Sequence, residues 1–104
     1  MTNPLTGEVT VDINGTPHVA KLTLGALAEL EATLGMDTLV DLVRRFEGGG
    51  YAGRDVMALI VAGLRGGGWQ GQAGDLLTAE IAGGPVQAAK IAAQLLARAF
   101  TPPQ

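Results

Sequence analysis

Apolar and polar residues alternate from Glu8 to Ile13, with Val9, Val11 and Ile13 separated by Thr10 and Asp12. A period of two places three apolar side chains on one face of a β-strand. Asn14-Gly15 follows directly. A type I′ turn needs positive φ at both central residues, and Asn-Gly supplies it readily. The pattern predicts a hairpin over 8–24 in which Ile13 faces Thr16, Val11 faces His18 and Val9 faces Ala20. The same register sets Glu8 opposite Lys21 on the other face. An isolated hairpin is marginally stable, so this one needs helices to pack against.

Beyond the hairpin the apolar period lengthens to that of a helix. Thr23 suits the N-cap of a helix over 24–34 that stops at Gly35 and carries a Leu27, Leu30, Leu34 stripe. Asp37 suits the cap of a second helix over 38–47, with Leu39, Leu42, Val43 and Phe46 at helical spacing. Its Asp41 and Arg45 stand four apart, the spacing of a surface ion pair. Gly48-Gly49-Gly50 ends it. A third helix over 54–65 is apolar nearly all round through Val56, Met57, Leu59, Ile60, Val61 and Leu64, which predicts a central position. Gly63 within it implies close approach by another helix. Residues 66–74 read as a flexible glycine loop carrying Trp69, and 75–82 as a short helix capped by Asp75 with Leu77 and Ile81 turned inward. Gly83-Gly84 breaks the chain, and Pro85 suits the first turn of a last helix. That helix presents Ala88, Ile91, Ala92, Leu95, Leu96, Ala99 and Phe100 to the core.

The expected fold is α+β: an N-terminal β-hairpin followed by a bundle of four to five short helices. It forms a single domain over 1–104, with the hairpin over 8–24, helices over 24–100 and a tail over 101–104. No repeat or linker interrupts it. The length, 104 residues, fits one domain, and 47% hydrophobic residues can fill a core without staples. Glycine is abundant, at 16 residues, which fits short elements with many stops.

Composition removes most enzyme chemistry. The chain holds no Cys and no Ser, so thiolate metal sites, disulfides and both nucleophiles are excluded. One His cannot form an imidazole cluster. The net charge of −3 argues against a nucleic-acid partner. Neither an apolar run of membrane-spanning length nor a signal peptide is visible, which predicts a protein of the cytoplasm.

The remaining motifs have plain structural explanations. Gly66, Gly68 and Gly71 match G-x-G-x-x-G, but a helix rather than a strand precedes them, so no dinucleotide site is expected. His18 reads as a half-buried hairpin residue. Glu29 and Glu31 diverge on a helix, and Asp37 with Asp41 reads as a cap and a surface acid. No catalytic, cofactor or metal residue emerges. Arg44, Arg45, Arg54 and Arg65 flank the two triple-glycine breaks. They form a cationic rim for a partner, or Arg44, Arg45 and Arg65 are charges near helix C-termini that complement the macrodipole. Trp69 is either an interface anchor or a cap on the core.

Three stretches carry a family resemblance: NPLTGEVTVDINGTPHVAKLTLGALAELEATLG over 3–35, LVDLVRRFEGGGYAGRDVMALIVAGLRGGG over 39–68, and AAQLLARAF over 92–100. In this order they resemble the small tail protein of gene transfer agents, the phage-like particles of alphaproteobacteria. That family is grouped with phage tail assembly chaperones and is also labelled a tail tube protein. The resemblance implies a non-enzymatic tail assembly chaperone without cofactor. Its partners would be the tape-measure protein, the tail tube protein or both, with homo-oligomers allowed and neither nucleic acid nor membrane bound. It would act in the host cytoplasm or travel in the particle's tail. A structural tail component and an unrelated small binding module stand as the alternatives. Arg44, Arg45, Arg54, Arg65 and Trp69 are the candidate partner-binding residues.

Overall fold

A computed structural model describes residues 7–35, 39–76 and 78–99. The order is β1 (Val9–Ile13), β2 (Thr16–Ala20), α1 (Leu24–Leu34), α2 (Leu39–Gly48), α3 (Gly53–Gly66), α4 (Ala73–Leu76) and α5 (Gly84–Ala99). This is the predicted α+β hairpin followed by helices. The proposed cap Asp37, the side chain of Leu77, Phe100 and the tail lie outside the described residues.

The hairpin has the predicted register, pairing Val9 with Ala20, Val11 with His18 and Ile13 with Thr16. Asn14 and Gly15 take φ of 52° and 84°, as the two-residue turn demands. Val9, Val11, Ile13 and Ala20 are buried, and His18 is half-buried. Thr23 Oγ1 accepts from the Ala26 N–H at 3.1 Å and caps α1. Gly35 closes α1 in the left-handed region at φ 62°.

α3 is the central element. Leu59, Ile60, Val61, Ala62 and Leu64 are buried along it, and α1, α4, α5 and β2 all pack on it. Its C-terminal turn fits against β2 because the residues there are glycines. A Cβ at Gly66 would stand 2.0 Å from the Lys21 carbonyl oxygen, and one at Gly67 would stand 2.0 Å from that of Val19. Gly63 answers the predicted close approach: a Cβ there would lie 2.9 Å from Leu95 of α5 and 3.3 Å from Ala20 of β2. The Lys21 N–H donates to the Gly63 carbonyl at 2.8 Å, tying the end of β2 to the helix. The expectation of a flexible loop from residue 66 is therefore corrected. Gly66 belongs to α3, and Gly67 is fixed against a strand.

The helix expected over 75–82 is also shorter than predicted. α4 ends at Leu76. Asp75 does not precede it but sits within it, and its Oδ2 accepts from the Gln72 N–H at 2.8 Å. The following segment leaves the helix to cover the outer edge of β1. The Asn14 N–H donates to the Glu80 carbonyl at 2.8 Å, and the Ala82 N–H to that of Asp12 at 3.1 Å, with Ile81 bridging Ile13. Strand edges leave backbone groups unsatisfied, and covering them outweighs the local helical preference. α5 starts as predicted, with Pro85 in its first turn, and buries Ala88, Ile91, Ala92, Leu95 and Leu96. Near its other end, Arg98 Nη1 donates to the Glu8 carbonyl at the start of β1.

The glycine contacts give a paired prediction. Gly66→Ala drives a methyl into a backbone carbonyl and should lower stability by about 2–3 kcal/mol. Gly53→Ala meets nothing within 4 Å. It should leave stability unchanged or raise it by up to about 1 kcal/mol. Urea unfolding of both variants measures the contrast.

Candidate functional site

The apolar surface left over from the core gathers between α3, α5 and the end of α2. It forms an open groove of about 710 Å³. Val56, Met57 and Ile60 of α3 make its floor, and Ala89 and Ala93 of α5 one wall. Phe46 and Tyr51 form the opposite wall, their rings stacked 4.6 Å apart and 6° from parallel. Val86 stands at the rim and is 69% exposed. Lys90 is the one charged residue lining the groove among the described residues.

One ion pair holds α2 beside this groove. Asp55 is wholly buried. Its carboxylate accepts from Arg45 Nη1 through both oxygens at 3.0 Å. It also accepts from the Ala52 N–H at 2.8 Å, one turn back, where Ala52 offers no side-chain acceptor of its own. Asp55 thus caps α3 and anchors α2 with one carboxylate. The expected Asp41–Arg45 surface pair does not form, because Arg45 turns from its own helix toward the buried acid. Asp55 was identifiable in the sequence only as an acid in the first turn of α3, a place favoured by the helix dipole.

The five sequence candidates are spread over the molecule. Arg44 is exposed on α2, and Arg45 is committed to Asp55. Arg54 and Arg65 share a small cleft of about 230 Å³ between α1 and α3. Arg65 pairs there with Glu29 and donates to Gln72 Oε1 at 3.4 Å. Trp69 is half-buried and packs against the core. Its N–H on the backbone donates to the Leu64 carbonyl at 2.8 Å, and a Cβ at Gly71 would meet its ring at 2.0 Å. Sequence reasoning missed the groove wall. Val86, Ala89 and Ala93 recur at helical spacing on a second side of α5, a surplus beyond what the core needs. Val56 and Met57, read as core, are half-buried at the groove floor.

Among the described residues no group of His, Asp or Glu could hold a metal ion, and no helix is long and apolar enough to cross a membrane. Fold and groove define a small α+β protein with an apolar cleft between helices on its surface. The sequence model of the family described as "Phage tail tube protein, GTA-gp10" matches residues 6–101. The chain belongs to that family, a structural tail family of gene transfer agents. Comparison with curated proteins and with solved structures gave no significant match.

Arg45→Met leaves the Asp55 carboxylate buried with its backbone donor alone. Breaking a buried pair from one side costs roughly 3–5 kcal/mol. Arg45 keeps a side-chain exposure of 35%, which lowers the expected loss. About 2–3 kcal/mol is predicted from thermal or urea unfolding, whereas Arg44→Met, on an exposed cation, should change stability by less than about 0.5 kcal/mol.

Proposed function

We propose that this chain is a tail assembly factor that holds an apolar helix of the tape-measure protein in the groove between α2, α3 and α5. The groove carries the reading. An amphipathic helix laid in an apolar cleft is a recurring mode of peptide recognition, anchored by side chains at helical spacing. The cleft here has an apolar floor, a small-residue wall of alanines that admits close approach, and an aromatic wall. An apolar cleft of this size with few polar groups is the common form of a binding site and supports the reading. Lys90 at its side suits an acid on the flank of the incoming helix. The chain would act in the cytoplasm of the producing cell before the tube closes.

A second reading, a tail component retained in the particle, is favoured by the family's own description as a tail tube protein. Joining subunits by strand addition at the hairpin is a poor route for it. Residues 80–82 cover the end of β1, and Pro17 removes a backbone donor from β2. Retention would have to use the helices.

Ala93 lines the groove and is exposed, so Ala93→Glu puts a charge on the docking wall without entering the core. In cells co-producing the tape-measure protein, capture by the variant should fall at least about tenfold, the effect of about 1.4 kcal/mol. Its unfolding midpoint should match the native chain. Undiminished capture would remove the groove from the binding site.

A further inference from the structure

The attachment of α2 differs from that of the other long helices. α1 and α5 each lie along α3, whereas among the described residues α2 makes few close backbone approaches to any other element. Leu42 is its one fully buried side chain among the described residues, with Val43 and Phe46 half-buried. Gly49 follows at φ 76°, then Gly50, so the chain after α2 can pivot at little steric cost. On the other side α1 is already closed by Gly35.

We propose that α2 is a hinged flap that lifts from α3 as one unit while the hairpin, α1, α3 and α5 stay folded, with Arg45–Asp55 as its latch. The latch chemistry favours such a device. When α2 lifts, Arg45 and the Asp55 carboxylate both regain water, and hydration offsets much of the lost attraction. Asp55 keeps its bond from the Ala52 N–H, which lies outside α2, so α3 retains its cap in the open state. A carboxylate that belonged only to the ion pair would leave the first turn of α3 without that acceptor.

Opening also reshapes the groove. Phe46 leaves its stack on Tyr51, and the floor at Val56 and Met57 loses a wall. A bulky helix could then lie deeper than the closed form allows. The flap is a property of the chain alone and does not depend on which partner the groove takes.

Hydrogen exchange of the full-length chain, read by mass spectrometry or NMR, tests this directly. Sub-global opening makes the amides of one unit exchange faster than those of the core. The amides of Val43–Gly48 should exchange about 100-fold faster than those of Leu59–Leu64, with a weaker dependence on urea than global unfolding shows. Arg45→Met removes the latch from the closed form alone, so it should speed both sets by the same factor, about thirtyfold or more. Arg45→Lys should restore part of the protection. Exchange of both sets in step in the native chain would overturn the flap, and this comparison stands even if Arg45→Met fails to fold. Acceleration of the second set alone, with the first unchanged, would mean that the ion pair survives the opening of α2 and would overturn the latch.

Discussion

The contact on which the rest of the structure depends is the seating of α3 against β2. A two-stranded hairpin cannot bury itself, and a helix apolar on nearly every side cannot stay in water. Each supplies the other's missing surface, provided that their backbones come close. Gly66 and Gly67 lie so near the carbonyls of Lys21 and Val19 that any side chain there would collide. Gly63 admits Leu95 and Ala20 at the same level. Once α3 is seated, α1 and α5 have a surface to pack on, and the apolar residues of α3 that they leave uncovered become the floor of the groove. The glycine richness of the chain is, at these positions, a packing requirement.

The groove follows from a shortage of covering elements. α5 turns Ala88, Ile91, Ala92, Leu95 and Leu96 inward and still carries Val86, Ala89 and Ala93 on another side. α2 is too short and too lightly attached to cover that side as well. The segment after α4, which could have extended as a helix, instead protects the edge of β1 through Glu80, Ile81 and Ala82. Closing one liability of the fold, an open strand edge, leaves another surface available.

Local signals in the sequence foretold local structure. Asn14-Gly15 with alternating valines set the hairpin register, Thr23 and Gly35 bounded α1, and the nearly continuous apolar run over 56–64 marked α3 as central. Long-range choices were not legible. Asp41 at four residues' distance looked like the partner of Arg45, but only the fold brings Asp55 to it. Gly66 and Gly67 had the composition of a mobile loop, and only the neighbouring carbonyls explain them. Arg65 read as a rim or helix-end cation, and only the packing of α1 places Glu29 beside it. The groove was hidden because periodicity tells which residues are apolar and not which of them run out of partners.

Membership of a gene transfer agent tail family fits a tail-related role, and in the proposed reading the groove acts on another tail protein before assembly is complete. The measurement that separates a departing factor from a resident part is absolute quantification of this chain, with isotope-labelled peptides, in lysate of producing cells and in purified particles. A departing assembly factor is abundant in the lysate and absent from the particles. A fixed copy number per particle would contradict that role and make the chain a structural component of the tail.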